Sequence, residues 1–214
     1  VLGASLLISG CGSSTNNASS SGSKEVLKIA ANPVPHAEIL EQVKPILAKE
    51  GVDLQIVEFT DYIQPNMALS SHEVDANFFA NVPYQNNFNK DHGTNFVSFA
   101  PVHIEPLAIY SQKIKDLKDL PNGAKVAIPS DPTNSARALL LLQSAGLVTL
   151  KDPTGLTNTP FDVTSNPKNI QIVELEAAQI PRSIQDLDAA VINANYALPA
   201  GLNPTKDGLF VEKA

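Results

Sequence analysis

Tryptophan is absent from the 214-residue sequence, and cysteine occurs once, at Cys11. A single cysteine excludes an internal disulfide framework and any zinc site built from several thiolates. Positive charge is scarce too. The 15 Lys and Arg stand against 22 Asp and Glu, a net charge of −7, which argues against a nucleic-acid-binding face. After the N-terminal stretch, no segment approaches the ~18 consecutive apolar residues of a membrane-crossing helix. The G-x-S-x-G, H-E-x-x-H, Walker A and dinucleotide-binding patterns are also missing. His36, His72, His92 and His103 are scattered without zinc-type pairing. The expectation is a protein that is not an enzyme, takes no cofactor and has no nucleic-acid partner.

What is present begins with an apolar run over 1–8, followed by Ser9, Gly10 and Cys11. This pattern reads as the end of a signal peptide and a lipobox, with cleavage after Gly10 and a lipid on Cys11. Residues 12–23 are uncharged Gly, Ser, Thr, Asn and Ala. They bury too little apolar surface to offset their chain entropy and read as a tether. The division expected is 1–11 signal remnant, 12–25 tether, 26–110 a first lobe and 111–202 a second. Residues 203–214 return to the first lobe. Hydrophobic residues make up 43%, enough for two lobes of roughly 100 residues each. The first residue is not Met, and the closing FVEKA reads as a strand without a helix after it. The chain is therefore expected to be a fragment open at both ends, with its first lobe incomplete and its own ligand affinity poor.

Periodicity gives the class. Strands are predicted over 26–30, 52–59, 74–79, 124–129, 170–175 and 189–192. Helices are predicted from Ala37 to a C-cap at Gly51, over 64–71, as one turn within 113–120, and over 134–144. Pro45 should kink or shorten the first helix. Residues 95–110, broken by Pro101 and Pro106, read as an extended crossover. Helices between strands indicate an α/β fold with mostly parallel sheets.

Three local signals point to a ligand. In AKVAIPSDPTNSAR (124–137) a strand runs into a helix that Asp131 can cap, with Pro132 at its first position. The free N–H groups of such a helix end attract an anion, and Arg137 one turn in can grip a carboxylate by two hydrogen bonds. In VINANY (191–196) an apolar strand ends on Asn193 and Asn195, amides able to pair with amino and carboxylate groups. Tyr62, Phe78, Phe79, Tyr84 and His103 form an aromatic set. Strand alternation puts Phe78 and Phe79 on opposite faces, one for the core and one for a cleft. Aromatic rings suit a thioether side chain. His103 with Glu105 is the one imaginable metal pair.

The chain resembles the methionine-binding lipoprotein family, the NlpA/MetQ type. The resemblance rests on IAANPVPH (29–36), VEFTDY (57–62), DANFF (75–79), HIEP (103–106), DPTNSAR (131–137), NPKN (166–169) and AVIN (190–193), in this order and spacing. It implies a two-lobed, type II periplasmic-binding-protein-like fold that closes on methionine, L- or D-, or a closely related amino acid. It also implies delivery to the permease and ATPase of an ABC importer, from a position outside the cytoplasm and anchored to the membrane through Cys11. Carried over by position, Arg137 holds the ligand carboxylate and Asn193 its backbone groups. Tyr62, Phe79, Tyr84 and His103 line the side-chain pocket, and Asn134 joins the ligand-binding set. The alternatives are a surface lipoprotein with an adhesive or antigenic role, and a binding protein for a methionine-containing dipeptide or a metal ion.

Overall fold

The structure of the protein, a computed structural model, describes residues 24–213. The predicted lipid site at Cys11 and residues 12–23 of the predicted tether lie outside the described residues.

The first sheet is built from β1 (Glu25–Ala31), β2 (Val52–Glu58) and β3 (Ala76–Phe78), with α1 (Glu38–Lys49) and α2 (Gln64–Ser70) between them. Its order is β2-β1-β3, and both ladders are parallel. Parallel neighbours need a crossover, and α1 and α2 supply it. Ala30 and Ala31 on the central strand are fully buried. Alternation sends Ala31 to the cluster of Leu40 and Leu54, and Ala30 to that of Ala68 and Val74. The predicted strands and helices of this half are all found here. Two details differ. Glu25 is already laddered with Val52, so the strand begins one residue inside the predicted tether. Pro45 does not shorten α1, which runs on to Lys49. Pro45 lies on the exposed face, where water can take the Glu41 carbonyl left without a donor.

α3 (Val82–His92) was not anticipated. Asn81 caps it by accepting from Tyr84 N at 2.9 Å, and Gly93 at φ +66° ends it. Residues 95–106 then run without helix or strand, as the two prolines require.

The second sheet has the order β10-β4-β9-β5-β8. Its strands are β4 (Leu107–Tyr110), β5 (Lys125–Pro129), β8 (Gln171–Leu175), β9 (Ala189–Asn193) and β10 (Phe210–Val211). α4 (Pro132–Ser144) follows β5, and a small antiparallel pair, β6 (Thr149–Leu150) and β7 (Val163–Ser165), precedes β8. The short helices α5 (Ile180–Ser183), α6 (Ala194–Ala197) and α7 (Pro204–Asp207) complete this half. The turn predicted within 113–120 is a 3-10 turn at Leu117–Asp119. β5 pairs in parallel with β8 and β9, whereas β4 joins β9 and β10 antiparallel.

Every residue of β4 and β9 is buried, as expected of strands covered on both faces. Leu107, Ile109, Val126, Ile128 and Val191 pack beneath Leu139 and Leu142 of α4. Their alternating neighbours Ala108, Tyr110, Ala127, Ala190 and Ile192 meet Ile180, Ile184 and Ala197 on the other face. The boundary expected at 110/111 and the return of 203–214 to the first lobe do not follow these sheets. β4 and β10 are hydrogen-bonded into the second one, because a wholly apolar LAIY needs cover on both faces.

Candidate functional site

The carboxyl ends of β5 and β9 open onto a cleft of about 1450 Å³. Strand ends of α/β sheets are where ligands usually sit. Tyr62, Phe79, Tyr84, His103, Asn134, Arg137 and Asn193, the seven predicted ligand contacts, all line it.

Asp131 caps α4 and positions the polar wall. Its Oδ1 accepts from Asn134 N at 2.9 Å. Burial pushes the Asp131 carboxyl up from its ordinary range, and hydrogen bonds from Asn134 and Thr133 oppose this. The Asn134 side chain turns back on its own cap, Nδ2 donating to Asp131 Oδ1 at 3.0 Å and Oδ2 at 2.9 Å. Its Oδ1 accepts from Asn193 Nδ2 at 3.0 Å. Asn193 Oδ1 is buried and has no partner among the described residues.

Arg137, one turn into α4, is not a lone guanidinium. Its Nε donates to Glu212 Oε1 at 2.7 Å, and its Nη2 donates to Glu212 Oε2 at 2.5 Å and to the Glu105 carbonyl at 2.8 Å. Glu212 also accepts from Leu107 N at 3.0 Å, which ties the pair to the start of β4. Nη1 makes no hydrogen bond among the described residues.

The opposite wall is aromatic. Tyr62 stacks on Phe79 at 5.9 Å between ring centroids, with Tyr84 edge-on at 5.7 Å and Tyr196 tilted at 5.0 Å. Tyr62 Oη donates to Asn195 Oδ1 at 2.6 Å and Tyr84 Oη to the Tyr62 carbonyl at 2.7 Å. Burial raises both phenols well above their ordinary value of 10.0, so they stay neutral. Phe79 joins the cage, and Phe78 packs on the core of the first sheet but also reaches the cleft beside His36 and His103, so the expected split between core and cleft holds only in part.

Between the walls, His36 and His103 share one carboxylate oxygen, Glu105 Oε1, from Nε2 atoms at 2.9 and 2.5 Å. Burial alone would raise the Glu105 carboxyl, but the two histidines outweigh it and hold it below its ordinary 4.5. Among the described residues this is the one group of three side chains spaced for a metal ion, with ligand atoms within 4.8 Å of one another. The buried His36 Nδ1 lacks a partner, whereas a metal-bound imidazole normally donates from its second nitrogen. A hydrogen-bonded cluster fits these atoms better than a metal centre.

Sequence reasoning missed Glu212, Glu105 in its pairing with His36, and the link from Asp131 through Asn134 to Asn193. One signal was available. His103 and Glu105 lie two apart in an extended segment, which places them on one side of the chain.

The family described as NlpA lipoprotein matches residues 27–214. The D-methionine-binding lipoprotein MetQ of Salmonella typhimurium is 49% identical over 178 residues, covering 82% of this chain and 65% of the relative. The chain thus spans slightly less than two thirds of that relative's length. A nutrient binding protein from Burkholderia cenocepacia bound to methionine superposes with a TM-score of 0.85 at 47% identity, covering 87% of this chain and 79% of that one. An ABC transporter periplasmic substrate-binding protein from Coxiella burnetii gives 0.84 at 44% identity, with 87% and 79% covered. None of these names is that of an enzyme. The α/β fold is therefore periplasmic-binding-protein-like, and the chain belongs to the NlpA lipoprotein family.

Proposed function

We propose that this chain is the ligand-capturing body of an extracytoplasmic lipoprotein that binds methionine, of either hand, or a close analogue, and delivers it to the permease and ATPase of an ABC importer. The observation that carries this reading is the meeting, on one cleft, of three complementary surfaces. The Nη1 end of Arg137 suits a carboxylate, reinforced by the N-terminal dipole of α4. The unpartnered Asn193 Oδ1 suits an ammonium group. The cage of Tyr62, Phe79 and Tyr84 suits a thioether, with His103 at its edge. The relatives named for D-methionine binding and solved with methionine support the choice of ligand. Capture proceeds by closure of the half built on β1, β2 and β3 onto the half built on the second sheet, which holds β4 and β10, and a lipid on Cys11 holds the protein at the membrane.

The test is calorimetry of the natural full-length protein against L-methionine, D-methionine and a glycyl-methionine dipeptide, with mass spectrometry of whatever copurifies. Stoichiometric binding of one of these supports the reading. Saturable binding of zinc, lost in Glu105→Gln, with no affinity for any of the three would replace it with a metal-binding function at His36, His103 and Glu105.

A further inference from the structure

We infer that Asp131, acting through Asn134, fixes the polarity of Asn193, so that the cleft presents an acceptor where the ligand's amino group lies and thereby selects amines. The inference rests on the binding function proposed above and adds the residues behind Asn193, with Asn134 acting on that residue rather than as the ligand contact expected from the sequence.

Polarity propagates through three side chains. A carboxylate only accepts hydrogen bonds, so Asp131 requires donors from its neighbours. Asn134 meets that requirement with Nδ2, at 3.0 and 2.9 Å from the two carboxylate oxygens. Reversing this amide would set its oxygen against two others, a like-dipole contact with no compensating bond. Asn134 must therefore show its oxygen to Asn193, and Asn193 must answer with Nδ2, as found at 3.0 Å. What remains is Oδ1 of Asn193, a residue of the cleft wall, buried and without a partner among the described residues. An isolated asparagine could offer a ligand either end of its amide. This one offers only an acceptor.

Such an acceptor is already withdrawn from bulk water, so a ligand without a donor at that point leaves it unpaired. A site built to hydrogen-bond one ligand group rejects the analogue lacking it more strongly than an apolar pocket rejects a missing methylene. Asp131 and Asn134 are thus positioning residues, and Asp131 also caps α4.

The experiment separates these two roles. Asp131→Asn and Asp131→Ser both keep a good cap, but neither is acceptor-only. Calorimetry on the natural full-length protein compares methionine with its deaminated analogue, 4-(methylthio)butanoate. The variants should bind methionine roughly tenfold more weakly while the analogue changes little, so the ratio of the two affinities falls. A merely structural role would weaken both ligands alike and leave the ratio intact, which overturns the inference. Neutron diffraction of the ligand-free protein reads the amide directly. Deuterons on the Asn193 atom facing Asn134 support the relay, and deuterons on the atom facing the cleft refute it whether or not methionine is the ligand. A wild-type protein that binds neither compound would sink the proposed function alone.

Discussion

Arg137 carries two loads in this structure, and removing it should reveal both. Its guanidinium grips Glu212 through Nε and Nη2, while Nη1 makes no hydrogen bond among the described residues of the cleft wall. Hydrogen bonds to charged groups contribute about 1.5–3 kcal/mol. Arg137→Ala should therefore weaken methionine binding at least tenfold, since about 1.4 kcal/mol is a factor of ten. The pair with Glu212 also ties α4 to the chain just after β10. Arg137→Ala should also lower the melting temperature, and the loss should shrink when Glu212→Gln is already present. Equal losses in the two backgrounds would mean that the pair contributes nothing. Glu105 gives a second test at this scale. Its folded carboxyl lies below its ordinary 4.5. A carboxyl of this kind adds stability that is complete above its unfolded value and is lost as pH falls through its folded one. The melting temperature should decline on acidification below that value, with a shallower decline in Glu105→Gln. Parallel acid limbs for the two proteins would show that the histidine cluster adds no pH-linked stability.

At the level of elements, α3 is the instructive case. It holds Tyr84 against Tyr62, and its N-terminus depends on Asn81, whose side chain accepts from Tyr84 N at 2.9 Å. Asn81→Ala should cost about 1 kcal/mol in urea-induced unfolding and weaken ligand binding through Tyr84. An unchanged midpoint would mean that the cap is idle. The cap asparagine, Pro83 and Gly93 were all visible in the sequence, but the helix between them was not. The segment VPYQNNFNKDH has several weak helix formers and buries only Gln85 and Phe88, so no apolar period announces it. In the second sheet β5 and β9 were legible for the opposite reason, because burial on both faces leaves unbroken apolar runs such as AAVI, whereas the equally buried β4 was read as the end of the crossover. Arg137, Asn193 and the aromatic set were legible because strand ends and a capped helix mark them. Glu212 and the Asp131 relay were not, since their partners lie 75 and 59 positions away along the chain, and such pairings have no local signature.

For the molecule as a whole, the two halves already touch across the cleft. Tyr62 Oη reaches Asn195, and Tyr196 Oη donates to the Thr60 carbonyl at 3.0 Å. Such a bond contributes about 0.5–1.5 kcal/mol net, so Tyr196→Phe should speed ligand release by roughly two- to tenfold. Stopped-flow dissociation checks it, and an unchanged off-rate would show that this contact does not hold the cleft shut. The crossover over 95–106 has a separate consequence. Val97, Phe99, Val102 and Ile104 are 82, 86, 59 and 75% exposed on a segment that pairs with no strand. Two apolar side chains one step of alternation apart, then two more, along backbone that joins neither sheet, form a template that an extended apolar peptide can add to. In concentrated solution that stretch, which forms part of the cleft wall, is where molecules of residues 24–213 should first stick to one another, and its chemistry sets how long the protein keeps in a tube.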